Sequence, residues 1–215
     1  MLDFDAAMLE LPLIAVLRGL KPVEALAIGQ ALFDAGFRLI EVPLNSPEPL
    51  TSIRLLSERF GAAALVGAGT VLSVQAARDV VAAGGRLIVM PHADTTIIRA
   101  GKELGAAVAP GIATPTEAFA ALAAGADALK AFPAEMISPA AIKAMRAVLP
   151  NATRILPVGG IAPETMAAYH AAGAAGFGLG SALFKPGMRV EDVADRAAHF
   201  VAAWRRLSRP AAVAE

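Results

Sequence analysis

Lys130 is the first residue that could do chemistry. It is one of five lysines in the 215-residue chain, and it alone sits inside an apolar run, ADALKAF. Strand side chains alternate, so Lys130 shares a face with Ala128 and Ala126, while Leu129 points the other way. Small neighbours leave room for a long side chain to stay inside. A desolvated lysine loses basicity, and the neutral amine attacks carbonyl carbon and forms Schiff bases. The competing reading is a strand-end lysine whose head group reaches water. Glu41, in FRLIEV, is the second candidate, the one carboxylate in the C-terminal half of an apolar run. It shares a face with Leu39, with Ile40 and Val42 opposite. A buried carboxyl there could shuttle protons, which contributes roughly 10²–10⁴-fold in rate. It could equally be half of a structural ion pair with Arg18 or Lys130. Asp127, at the start of its run, reads as structural.

The elements that must position these groups repeat along the chain. Gly36, Gly61, Gly84, Gly105 and Gly125 close successive segments, Asn151 fills the next slot and Gly173 follows. Glycine or asparagine there is a helix stop signal, since the position often needs positive φ. A short apolar run follows each: from Phe37, Ala63, Arg86, Ala106, Ala126, Arg154 and Ala174, with an earlier one from Leu13. Between them the apolar spacing is helical, as at Ile53, Leu56 and Phe60, or Ile142, Met145 and Leu149. Start signals precede several helices: Pro22, Ser46-Pro47-Glu48, Thr114-Pro115, Ser138-Pro139 and Pro163-Glu164. Eight strand–helix units with continuously apolar strands predict an α/β fold, a single-domain (β/α)₈ TIM barrel over residues 1–207. An open doubly wound sheet is the competitor. Residues 208–215 (SRPAAVAE) read as a loose tail.

In such a barrel the strand C-termini form the active face, and the loops after strands seven and eight often bind phosphate through backbone N–H groups. Gly159-Gly160 and Gly180-Ser181 fall in those loops. Tight turns alone would also explain these glycines. Gly67-Ala68-Gly69-Thr70 could hold a carboxylate, with Arg18 as the matching cation. Cysteine is absent, which excludes disulfides, thiol nucleophiles and cysteine metal sites. The three histidines, His92, His170 and His199, show no metal-ligand spacing, so no metal and no cofactor is expected. Nineteen basic and nineteen acidic residues argue against a nucleic-acid partner. The uncharged stretch Thr165–Phe184 carries four glycines and a histidine, a poor membrane span. With no signal peptide visible, a cytoplasmic protein without a membrane partner is expected.

Several blocks, in order, carry a resemblance: PLIAVLRG (12–19), AGFRLIEVPLNSP (35–47), VGAGTV (66–71), PG (110–111), ALKAFP (128–133), PVGGI (157–161) and GLGSALF (178–184). Over about residues 10–206 the chain resembles the bacterial class I aldolases of the 2-keto-3-deoxy-6-phosphogluconate/4-hydroxy-2-oxoglutarate family. The resemblance implies that Lys130 is the Schiff-base lysine and Glu41 the general acid/base. It implies substrate around Arg18 and Thr70, and phosphate near Gly160, Gly180 and Ser181. The gluconate-type branch tends to carry an Arg-Thr pair after the glutamate and a threonine before the Gly-Gly. Asn45-Ser46 and Val158 stand there instead and resemble the galactonate-type branch. The implied partners are a phosphorylated 2-keto-3-deoxy sugar acid, pyruvate, glyceraldehyde 3-phosphate and two further copies of the chain in a homotrimer. The same chemistry on the gluconate epimer or on 4-hydroxy-2-oxoglutarate, a phosphate-binding barrel isomerase, and a non-catalytic sugar-phosphate-binding barrel remain open alternatives.

Overall fold

A computed structural model describes residues 1–208, so the expected tail lies outside the described residues apart from Ser208. Every apolar run forms a strand. In chain order they are β1 (Leu13–Val16), β2 (Leu39–Pro43), β3 (Leu65–Gly69), β4 (Leu87–Val89), β5 (Ala107–Ala109), β6 (Gly111–Ile112), β7 (Leu129–Ala131), β8 (Ile155–Pro157) and β9 (Phe177–Leu179). β5 comes from the predicted run that starts at Ala106, and β6 lies just past it, where a loop was expected. Pro110 separates the two, because proline brings no N–H to a ladder.

The strands make a curled parallel arrangement in two sheets, β5-β4-β3-β2-β1-β9 and β6-β7-β8. Registers set Val16 beside Glu41, Glu41 beside Gly67, and Gly111 beside Lys130. The sheets approach each other at both ends. Val158 bridges Gly178, and the Ala175 N–H donates to the Ile155 carbonyl at 2.9 Å. On the other side the Asp127 N–H donates to the Val108 carbonyl at 3.0 Å.

The helices are α1 (Phe4–Glu10), α2 (Pro22–Ala35), α3 (Pro49–Phe60), α4 (Val74–Ala82), α5 (Thr95–Glu103), α6 (Pro115–Ala123), α7 (Pro139–Arg146), α8 (Met166–Ala171) and α9 (Val190–Leu207). Among the described residues no helix is long and apolar enough to cross a membrane, and Thr165–Phe184 divides between α8 and β9. Start signals act through ordinary capping. Thr114 Oγ1 accepts from the Glu117 N–H, and Glu117 accepts from the Thr114 N–H at 2.8 Å. Four signals differ from expectation: α8 begins at Met166 rather than at Pro163, and Asn151 follows the end of α7 only after four residues and without positive φ. α3 begins at Pro49 rather than at Pro47, after Glu48 at φ 44°. Gly61 ends α3 in right-handed conformation, φ −61°, whereas Gly36, Gly84, Gly105, Gly125 and Gly173 all have positive φ.

Alternation along the strands builds two cores. Ile40, Val42, Leu129 and Ala131 pack outward with Ile28, Ile53 and Ile142 of the helices. Leu39, Leu65, Leu87, Ala128 and Leu156 pack inward. Ala126 departs from the predicted face: it precedes β7 and packs with the outer core, since alternation holds only within the strand. The inner core is closed below by α1, which the sequence pattern did not predict. Phe4, Ala7 and Met8 join that cluster, and Asp3 caps the helix by accepting from the Ala6 N–H at 2.8 Å.

Candidate active site

Glu41 and Lys130 follow the inward-facing Leu39 and Ala128, two residues further along their strands. They are buried, 1% and 6% exposed, and line one small internal space with Ile14, Val89, Leu156 and Val158. Gly69 makes this possible on the β3 side, since a Cβ there would collide with the Glu41 carboxylate. Glu41 Oε2 is buried without a hydrogen-bond partner among the described residues. Burial pushes the Glu41 carboxyl up from 4.5 to about 7, against the opposing pull of Lys130, Arg18 and the Gly69 backbone. Burial likewise lowers the Lys130 ammonium from its usual value. Glu41 opposes that shift and the positive Arg18 adds to it. Both groups are thereby moved toward their neutral forms. The two make no ion pair within 4 Å, so the structural-pair reading of Glu41 loses its support. Lys130 Nζ lies 4.4 Å from the Phe132 ring centroid.

Above them opens a cavity of about 490 Å³ whose lining includes Arg18, Lys130, Val158, Gly159, Gly160, Gly180 and Ser181. Seven of the ten residues singled out in the sequence therefore share one surface, and Glu41 lies just beneath it. Thr70 and Asn45 do not line it. Thr70, after β3, holds φ 57°, which is rare for a β-branched residue and stores about 1–3 kcal/mol of strain. Asn45 acts through Arg18: its Oδ1 accepts from the Arg18 guanidinium at 2.8 Å. Next to it the Gly19 N–H donates to Ser46 Oγ at 2.9 Å, so the loop after β2 fixes the loop after β1. Asp127 is structural, as expected, accepting from Lys102 at 2.7 Å and from the Val108 N–H at 2.8 Å. Exposed His92 lines none of these spaces, and His170 stacks edge-on against Trp204.

Sequence reading missed three charged residues on the cavity wall: Glu135, Lys185 and Arg196. Glu135 stands five residues past Lys130, and Lys185 four past Ser181. Both were reachable by following the post-strand loops further. Arg196 belongs to α9 and carried no local signal. It reaches the loop after β9 across the fold, with Nη1 donating to the Ala182 carbonyl at 3.2 Å. No group of three or more potential metal-ligating side chains occurs among the described residues.

Comparison with known proteins identifies the family. A curated relative from Escherichia coli (strain K12), named 2-dehydro-3-deoxy-6-phosphogalactonate aldolase, is 48% identical over 196 residues, covering 91% of this chain and 96% of its own. A Rhizobium meliloti (strain 1021) relative, named probable 2-dehydro-3-deoxy-6-phosphogalactonate aldolase, is also 48% identical, over 91% of this chain and 92% of its own. A solved structure described as native KDPGal superposes with a TM-score of 0.91 at 48% identity, over 92% of this chain and 96% of that one. The 2-keto-3-deoxy-6-phosphogluconate aldolase of Zymomonas mobilis superposes at 0.83 with 28% identity, over 93% and 97%. Residues 4–198 match the profile of the family described as KDPG and KHG aldolase. The chain belongs to the KDPG and KHG aldolase family, and it is an aldolase of the lyase class.

Proposed function

We propose that this aldolase cleaves 2-dehydro-3-deoxy-6-phosphogalactonate to pyruvate and glyceraldehyde 3-phosphate through a Schiff base on Lys130. The observation that carries this is the buried Lys130–Glu41 couple under the cavity, both groups biased toward neutrality. The neutral Lys130 amine attacks the C2 ketone. Glu41 moves the protons by which the carbinolamine loses water and becomes an iminium. Glu41 then takes the C4 hydroxyl proton, the C3–C4 bond breaks, and its electron pair moves onto the iminium to give an enamine. Glyceraldehyde 3-phosphate leaves. The enamine gains a proton at C3, and water hydrolyses the imine to pyruvate and free Lys130. The protonated imine is the electron sink, so the reaction as written needs no metal or cofactor.

Arg18, held by Asn45, meets the substrate carboxylate, with Thr70, which is off the cavity lining, assigned there by sequence and resemblance alone, and the backbone at Gly159, Gly160 and Gly180 with the Ser181 hydroxyl receives the phosphate. Val158 gives the C4 side of the pocket an apolar wall without a hydrogen-bonding group, so epimer preference should be modest. The name shared by the 48% relatives supports the galacto epimer. Residues 1–207 act as one domain. The bonds joining Val158 to Gly178 and Asp127 to Val108 support reading its two sheets as one closed eight-stranded barrel, with β5 and β6 as a single strand. The resemblance adds a cytoplasmic homotrimer.

Borohydride reduction in the presence of pyruvate tests the chemistry. It should add one pyruvate-derived adduct at Lys130 and none in Lys130→Met, which should also lose pyruvate release. Labelling elsewhere, or normal cleavage by Lys130→Met, sinks the mechanism. Comparing kcat/KM for the two C4 epimers then tests the substrate, and a gluco preference would overturn the role given to Val158.

A further inference from the structure

Glu135 is the one carboxylate among the described residues lining the cavity, where the other charged groups are Arg18, Lys130, Lys185 and Arg196. Its loop is braced. The Ala134 N–H donates to the Val158 carbonyl at 2.9 Å, and the Tyr169 hydroxyl lies 2.8 Å from the Ala134 carbonyl and 3.0 Å from that of Ile137. Its side chain lies against the backbone of the Gly159-Gly160 turn. A Cβ on Gly159 would collide with the carboxylate, and one on Gly160 would come within 3.0 Å of its Cγ. These glycines have φ 113° and 60°, so the backbone geometry of the turn disfavours larger residues. Glu135 forms no ion pair among the described residues, so no fixed partner cancels its charge.

We infer that Glu135 is a specificity-determining residue that weakens the hold of this cavity on a phosphate dianion, narrowing the preference for phosphorylated over unphosphorylated substrates. The inference rests on the reading above that the loops after β8 and β9 receive phosphate. A negative charge fixed beside that turn repels a dianion and leaves a neutral hydroxyl terminus nearly untouched. The residue is exposed, so its field is screened and its effect is modest and dependent on salt.

The test runs in the synthetic direction, with pyruvate and either glyceraldehyde 3-phosphate or glyceraldehyde as acceptor. Glu135→Gln and Glu135→Ala should each lower KM for glyceraldehyde 3-phosphate about three- to tenfold, the size expected of one unit charge a few ångström away in near-aqueous surroundings. The kcat values and the KM for glyceraldehyde should stay put. The gap between wild type and variant should close from about 0.01 M to about 1 M salt, as the screening length falls from about 30 to about 3 Å. Glu164→Gln, an exposed carboxylate off the cavity wall, changes net charge equally and should do nothing. An unchanged discrimination ratio, a raised KM for the phosphorylated acceptor, a salt-independent gap, or an equal effect from Glu164→Gln overturns the inference. Pyruvate-dependent trapping of the wild type separates these outcomes from failure of the aldolase reading, which would abolish trapping as well.

Discussion

Glu41 links chemistry to stability. In the unfolded chain its carboxyl titrates near 4.5 and in the folded protein at about 7, so between those values the folded state holds a proton that unfolding releases. Stability contributed by the protonated carboxyl is complete below about 4.5 and is lost as pH rises through 7. At about 1.4 kcal/mol per pKa unit the loss is somewhat over 3 kcal/mol. Glu41→Gln, which cannot ionise, should therefore be more stable than wild type above pH 7 by up to that amount and nearly equal to it near pH 4.5, in urea unfolding. It should also lose most aldol cleavage. A stability difference independent of pH would show that Glu41 is not desolvated in the folded state. Lys130 acts in a separate window. Its ammonium is weakened by burial, so unfolding takes up a proton below its ordinary 10.5 and stability rises with pH there. Both residues were legible in the sequence, because a charge inside an apolar run needs a reason. Glu135 was not, since an exposed glutamate in a loop matches a solvated surface until the neighbouring turn is known.

Among the elements, the strands were the most legible part. Buried parallel strands leave continuous apolar runs, and all eight runs became strands with Glu41 and Lys130 on the predicted face. The helix starts were legible where a side chain caps the backbone, as at Thr114 and Ser138. The start of α3 was not, because Glu48 adopts left-handed geometry and moves the first helical proline to Pro49. Missing α1 altogether had a different cause: its seven residues FDAAMLE have too few turns to display a period. Its role is packing, at the opposite end of the strands from the cavity. Phe4 is 7% exposed within the inner core, and Arg154, 2.6 Å from Asp5, ties the helix to the strand ends. Phe4→Ala should cost about 3 kcal/mol in chemical denaturation, in the usual range for a buried phenylalanine, while kcat and KM at a temperature well below unfolding stay unchanged. A large fall in kcat with unaltered stability would mean that the two ends of the strands are coupled.

On the scale of the whole molecule, the exposed apolar residues matter most. Val23, Leu9, Met136, Leu72 and Val148 are between 58% and 90% exposed, scattered across helices and loops. Proposed trimer formation should give, in sedimentation equilibrium, three times the 21.9 kDa of one chain, with no fall in mass on dilution to assay concentration. A mass of one chain would remove the trimer and leave the chemistry intact. The trimer is an expectation from resemblance alone, because isolated exposed apolar side chains are normal on monomers too. The sheet was legible as parallel but not in its breaks. Past Pro110, where a loop was expected, β6 starts a second sheet, and Arg196 reaches the cavity wall from the last helix through contacts that no local pattern encodes.

The pairing of Leu13 with Phe177 has a consequence for synthesis in the cell. β1 is flanked on one side by β9, the last in chain order of the described strands. At translation rates of about 5–20 residues per second, β1 waits roughly ten to thirty seconds for that neighbour. During this interval its edge and the inner faces of Phe4 and Met8 are open to other chains. Until β9 emerges, the nascent chain should expose the kind of surface that chaperones bind, and misassembly on crowded polysomes would begin there.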